Sequence, residues 1–172
     1  GDDRAIFDGS GREINNLDRA TFKNGYAVAK FVNFKTDGSS GHDATFMDAD
    51  FFLFRKAEAY LTYAEAQARM NGGATNAEGA AAINDLRARA HATTKSNYAL
   101  DEILDEWSRE FYFEGRRRTD LIRFGKFGGN TDYIWQWKGG TYNGRNFDAY
   151  KNIFAIPASQ LSTYGNEQNP GY

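Results

Sequence analysis

The sequence predicts a mainly all-α fold: tetratricopeptide-like helical hairpins, one or two short β-hairpins near the N-terminus, and a loop-rich tail. Three observations predict it. Apolar residues recur at helical spacing from about residue 51 onward. A Gly72-Gly73 pair separates two such runs. The flanking stretches, residues 1–50 and 128–172, are broken by Gly, Asn and Asp and hold no long period.

Within residues 1–50, Ile6-Phe7 and Glu13-Ile14 flank Asp8-Gly9-Ser10-Gly11-Arg12, which reads as a hairpin with a glycine-rich turn. Tyr26 to Phe34 is β-prone and roughly alternating, and Asp37-Gly38-Ser39-Ser40-Gly41 is a turn cluster.

Leu53, Ala57, Leu61, Ala64 and Ala68 then line one face of a first helix, and Arg55, Glu58, Thr62, Glu65 and Arg69 line a polar face. Gly72-Gly73 ends it, because glycine accepts the left-handed backbone at a helix C-terminus. Thr75-Asn76-Ala77-Glu78 matches a capping box for a second helix. That helix runs to about His91, with Ala80, Ile83, Leu86 and Ala90 on one side. The pair makes an αα-hairpin of about 38 residues, near the length of a tetratricopeptide unit. Such a unit needs partner units, expected upstream or outside this segment. A third helix is expected from the N-cap Asp101, with the stripe Ile103, Leu104, Trp107 and Phe111, through Glu114 and on, bent at Gly115, to about Phe124. In the tail, Pro157 opens a short helix over Ala158-Ser159-Gln160-Leu161. The organisation is therefore a single segment over 1–172: loops and strands in 1–50, the hairpin and third helix in 51–127, and the tail in 128–172.

Composition narrows the chemistry. Of 172 residues, 41% are hydrophobic and 26% charged, which fits a folded globular chain, and the net charge of −2 gives no basic footprint for nucleic acid. There is no Cys, which removes disulfides and thiolate sites, and the two histidines, His42 and His91, lie far apart. No cofactor is implied. No apolar run reaches the ~18 residues of a membrane span. The opening Gly1-Asp2-Asp3-Arg4 has neither an initiator Met nor a signal peptide, so an upstream part, with any targeting signal, is expected to be missing.

Two constellations could carry chemistry. Glu106, Glu110 and Glu114 recur every four residues on one helical face, an arrangement able to bind a metal or act as an acid–base pair. The commoner use of such a ladder is an ion network, here with Arg109, Arg116, Arg117, Arg118 and Arg123 close by. Arg55 with Glu58, and Glu65 with Arg69, read as pairs of the same kind. Tyr133, Trp135 and Trp137 point to one side of an extended segment and are the candidate ligand-binding residues, by stacking on sugar faces. The commoner use of rings so placed is to pack a groove between helices.

Four motifs in order, over about residues 50–172, resemble the SusD/RagB family. They are Arg55-x-x-Glu58-x-x-Leu61-x-x-Ala64-Glu65-Ala66, Asn84-x-x-Arg87-x-Arg89-Ala90, Glu110 and Glu114 followed by Arg117-x-x-Asp120-Leu121-x-Arg123-Phe124-Gly125, and the endings Phe154-Ala155-Ile156-Pro157 and Gln168-Asn169-Pro170-Gly171-Tyr172. Trp107 stands where many members carry Arg, and Thr163-Tyr164-Gly165-Asn166 replaces a usual Asn-Pro. The Trp135-x-Trp137-Lys138-Gly139-Gly140 stretch looks most like members near the starch-binding type.

The resemblance implies a mostly helical, non-catalytic protein that binds a glycan or other nutrient. It implies a surface lipoprotein of a Bacteroidetes-type outer membrane, with its anchor Cys outside this segment. Its partner would be a SusC-like TonB-dependent transporter. Arg55, Glu58, Glu65, Asn84, Arg87, Glu110, Glu114, Arg117, Asp120 and Arg123 look like residues that stabilise the fold rather than touch ligand, and the resemblance places the family's varied ligand sites largely upstream of this segment. The alternative is a helical interaction scaffold with no small-molecule site.

Overall fold

A computed structural model describes residues 1–172, and the chain divides into two compact units, Gly1–Arg116 and Arg117–Tyr172. The first unit is built on three helices: α1 (Lys56–Met70), α2 (Ala77–Arg89) and α3 (Leu100–Phe111). Both α2 and α3 pack on α1. Their 3.6-residue periodicity produces the core: Ala57, Leu61, Ala64 and Ala68 meet Ala80, Ile83 and Leu86, and Ile103, Leu104, Trp107 and Phe111, all buried. Leu53 is 77% exposed and precedes the helix, so the first apolar position expected of α1 is not part of it.

The α1–α2 connection is tight. Gly72 (φ 74°) and Gly73 (φ 118°) follow the last turn, and Gly73 N–H returns 2.8 Å to Ala68 O, a Schellman closure that needs left-handed backbone. A Cβ on Gly79 would come within 3.1 Å of Gln67 Cβ and of Thr75 Cβ, so a residue without one lets α2 lie close. The expected capping box does not form. Asn76, not Thr75, caps α2, its Oδ1 accepting from Gly79 N–H at 2.9 Å. Thr75 Oγ1 instead accepts from Tyr98 N–H at 3.0 Å. Thr75 N–H donates to Tyr98 O, and Leu100 N–H donates to Gly73 O, at 2.9 Å each, pinning the start of α3 to the hairpin turn.

The α3 helix starts two residues earlier than an Asp101 cap implies, with Ala99 at the N-cap position. Glu102 accepts from Ala99 N–H at 3.0 Å, while Asp101 lies within the first turn. It also stops short: Tyr112 leaves the helix (ψ 141°), Phe113 (φ 60°) and Gly115 (φ 75°) take left-handed backbone, and a separate helix, α4 (Arg117–Arg123), follows. Lys30 Nζ donates to the carbonyls of Glu110 and Tyr112 at 3.0 Å each, and Arg55 Nη2 to Glu110 O at 2.6 Å. Two cations at a helix C-terminus satisfy its orphan carbonyls and complement the dipole.

The expected hairpin at 6–14 is not formed. β1 (Phe7–Asp8) pairs antiparallel with β2 (Ala27–Val28), Phe7 opposite Val28. The β-prone 26–34 stretch contributes only those two residues, and the Asp37-Gly38 turn lies beneath an antiparallel bridge between Phe34 and Ser40.

The second unit holds α4, 3₁₀ turns at Lys138–Gly140 and Ala149–Asn152, and α5 (Ala158–Tyr164), which begins directly after Pro157. Polar side chains organise much of it. Gln168 Oε1 accepts from Ile156 N–H at 2.8 Å and its Nε2 donates to Ile156 O at 2.9 Å, so one amide side chain pairs with a residue as a neighbouring strand would. Tyr172 packs edge-on to Tyr150 at 4.7 Å and donates to Ile153 O at 2.7 Å. No helix is long and apolar enough to cross a membrane.

Candidate functional site

Glu106 and Glu110 lie on α3, whereas Glu114 lies past its end, so the expected single helical face is not kept; all three are buried and paired with cations from four other parts of the first unit. Arg4 reaches Glu106 at 2.8 Å and Glu110 at 2.9 Å. Arg55 reaches Glu110 at 2.5 Å and Glu114 at 2.8 Å, its guanidinium lying 3.9 Å over the Phe111 ring. Arg87 holds Glu106 and Arg89 holds Glu110, both at 2.6 Å, and Lys30 pairs with Glu114. Of the arginines expected as partners, only Arg109 reaches the ladder, at Glu106 (3.2 Å).

Burial alone would push the Glu110 carboxyl up, but hydrogen bonds from Arg55, Arg89 and Arg4 outweigh it and hold it at about 2. Glu114 is held low in the same way, by Arg55 and Lys30 against burial. No group of three or more His, Cys, Asp or Glu side chains is gathered for a metal.

The other motif residues are placed separately. Arg55 does not pair with Glu58, which takes Arg116 at 2.6 Å. Glu65 pairs with Arg69 at 2.9 Å and accepts from the Trp107 indole at 3.0 Å. Asn84 accepts from Tyr98 O–H at 2.6 Å and donates to Lys95 O at 2.8 Å. Asp120 and Arg123 pair at 3.0 Å.

In the second unit, a cleft of about 420 Å³ is lined by Arg117, Arg118, Leu121, Phe127, Tyr133 and Trp135. Burial alternates along 132–137 as an extended segment requires, with Tyr133, Trp135 and Trp137 half-buried and the residues between them exposed. The three rings nonetheless do not form one platform. Tyr133 and Trp135 meet edge to face at 6.1 Å, and Trp135 leans on Phe127 and Phe147 at 6.4 and 6.0 Å. Trp137 turns into left-handed backbone (φ 67°) and packs on Tyr142 at 5.8 Å.

Arg117 donates to the Tyr133 hydroxyl and lies 5.4 Å over its ring. Arg118 lies 5.0 Å over Phe127 and donates to Lys151 O at 2.9 Å. Below the wall, Lys138 Nζ sits 4.6 Å over Trp135 and donates to Tyr133 O at 2.6 Å. Aromatic faces beside guanidinium donors are what a sugar ring meets in a stacked, hydrogen-bonded site.

Arg4 and Lys30 carry no signal of this role in the sequence, and Lys138 stands in the Trp135–Gly140 stretch with none for its own. Arg4 and Lys30 act across about 80 residues or more, and Lys138 reads as an ordinary loop lysine between Trp137 and Gly139. Arg89 was within a quoted motif, but its partner was not legible.

The helical hairpin with α3 packed on it, the buried glutamate–cation cluster and the polar-stapled tail define a mainly helical scaffold. A model of the SusD family matches residues 8–172, and the chain belongs to that family. It is 45% identical over 178 aligned positions to the starch-binding protein SusD of Bacteroides thetaiotaomicron, covering 100% of this chain and 31% of that protein. A SusD-like protein of Bacteroides ovatus is 33% identical over 76 positions, 44% of this chain and 14% of that one. Among solved structures, a SusD superfamily protein from Parabacteroides distasonis superposes with a TM-score of 0.63 at 25% identity, covering 91% of this chain and 35% of that one. Surface glycan-binding protein A from Bacteroides uniformis gives 0.59 at 27% identity, covering 80% and 30%. The chain thus spans about a third of the length of its starch-binding relative.

Proposed function

We propose that the chain is part of a nutrient-binding protein that holds a glycan, of the starch type or a related polysaccharide fragment, at the outer-membrane surface. The protein passes that glycan to a SusC-like TonB-dependent transporter without breaking a bond, and a lipid anchor outside these residues tethers it. The observation that carries the reading is the 45% identity, along the whole chain, to a protein named for starch binding.

The site chemistry agrees with binding rather than catalysis. A glycosidase needs one carboxylic acid kept protonated by a raised pKa. Glu110 and Glu114 are both shifted the opposite way by their arginine and lysine partners. The candidate contact surface within these residues is the Tyr133–Trp135 wall, with Arg117 and Arg118 as flanking donors.

The second reading is a helical interaction scaffold without a small-molecule site. The exposed run Phe51, Phe52, Leu53 and Phe54 favours it, since contiguous exposed apolar residues suit protein contact.

Calorimetric titration with starch fragments and other glycans separates these readings, applied to this chain and to a polypeptide spanning the full length of its relatives. Binding by both, abolished in this chain by Trp135→Ala, places the site at the tail wall. Binding by the longer polypeptide alone keeps the glycan function and removes the tail wall from it. Binding by neither overturns the nutrient reading in favour of the scaffold.

A further inference from the structure

Lys138 is 1% exposed, and its ammonium is met by neutral oxygens. Nζ donates to the carbonyl of Tyr133 at 2.6 Å, the hydroxyl of Thr131 and the amide oxygen of Asn146 at 3.3 Å each, and the carbonyl of Lys126 at 3.4 Å. The faces of Trp135 at 4.6 Å and Phe147 at 5.7 Å close the remaining sides. Neutral oxygens and ring faces around a point charge are the surroundings that proteins give a small bound cation. Here the cation is covalently attached. Its own backbone is fixed as well: Lys138 N–H donates to Trp135 O at 3.0 Å, and Lys138 O accepts from Arg145 N–H at 2.9 Å.

Such a group is a poor choice for filling space. Burial holds Lys138 below the ordinary lysine range, so its surroundings favour the charge less than water does. A methionine would occupy similar volume without that penalty. What an ammonium adds is three donors, which draw together oxygens from positions 126, 131, 133 and 146 of one loop system. The same loop carries the cleft wall, because Tyr133 supplies both a bound carbonyl and a cleft ring, and Trp135 both faces the ammonium and lines the cleft.

We propose that Lys138 is the positioning residue of the aromatic cleft, a tethered internal cation that gathers the loop oxygens and thereby sets the Tyr133 and Trp135 rings for glycan. The binding half of this inference rests on the glycan reading above; the organising half does not.

The test uses the chain labelled with fluorotryptophan, whose Trp107, Trp135 and Trp137 signals are assigned by single Trp→Phe changes. In Lys138→Met the Trp135 signal shifts or broadens while the Trp107 signal holds. In Lys138→Ala the same disturbance is reversed, saturably, by propylammonium, which replaces the excised atoms, and not by propanol. If Lys138→Ala fails to order its tail, refolding in propylammonium against refolding in propanol gives the same comparison. Glycan affinity falls at least about tenfold in Lys138→Met and recovers in Lys138→Ala with propylammonium.

An unchanged Trp135 signal in both variants, or equal restoration by propanol, overturns the proposal. So does unchanged glycan affinity in Lys138→Met. If the unaltered chain binds no glycan, the binding half falls, the functional reading is decided by the longer polypeptide, and the fluorine signals alone decide whether the ammonium organises the loop.

Discussion

The indole of Trp107 donates to the carboxylate of Glu65 at 3.0 Å, so α3 is joined to α1 by a hydrogen bond between two buried side chains. Trp107 also stacks on Phe111 at 5.3 Å and under the Arg116 guanidinium at 4.7 Å. Replacement by Phe retains most of the ring and removes this donor. Trp107→Phe is expected to lower unfolding stability by about 1–3 kcal/mol, read from the urea midpoint at constant slope.

The ion cluster makes the first unit acid-sensitive in a defined window. Glu110 is held at about 2 against a usual 4.5. A carboxylate depressed on folding stabilises the native state above its unfolded pKa and loses that contribution as pH falls through its folded pKa. The loss therefore begins near pH 5 and is nearly complete near pH 2, and amounts to about 3 kcal/mol as an upper bound for this one group. Glu110→Gln is expected to flatten the stability profile across that window. An equally steep profile in the variant would assign the acid sensitivity elsewhere.

Arg55 joins two carboxylates and a helix-end carbonyl. Its truncation in Arg55→Met takes one cation from Glu110, which keeps Arg4 and Arg89, and one from Glu114, which keeps Lys30, and is expected to cost about 2–3 kcal/mol. Lys95→Ala breaks the solvent-exposed pair with Glu102 and is expected to cost below about 1 kcal/mol. Comparable losses in the two variants, measured by denaturant unfolding, would contradict this account of the cluster.

Asn84 ties α2 to the loop before α3 through Tyr98 and through both backbone groups of Lys95. Asn84→Ala leaves the buried Tyr98 hydroxyl without its acceptor. A loss of about 1–3 kcal/mol is expected, together with faster amide exchange at Lys95 and Tyr98 and unchanged exchange at the centre of α1.

What the sequence made legible divides along a physical line. Leu61, Ala64 and Ala68, then Ile83 and Leu86, then Ile103, Leu104, Trp107 and Phe111 were readable as core because burial of a helix repeats with the helix period. Partner choice carried no such signal. Phe7 pairs with Val28 rather than with its neighbour across the glycine turn, because short half-exposed strands have little local pattern to fix register. Thr75 satisfied a capping pattern that Asn76 fulfils one residue later, since the Tyr98 N–H competes for its hydroxyl. In the candidate site, alternation placed Tyr133, Trp135 and Trp137 on one side of an extended segment, whereas the turn of Trp137 away toward Tyr142 depends on its left-handed backbone, which its residue type does not announce.

The clasp made by Arg4 also has a kinetic side. Its partner Glu110 lies 106 positions along the chain, whereas α1 and α2 are neighbours through a two-glycine turn. Local contacts form before distant ones whose loop must first close. The hairpin is therefore expected to form in the folding nucleus, with the Arg4 contacts closing after the rate-limiting barrier. An Arg4→Ala change should leave the refolding rate nearly untouched and show itself as faster unfolding, so the N-terminal strap acts less as a builder of this fold than as the latch that determines how long it stays shut.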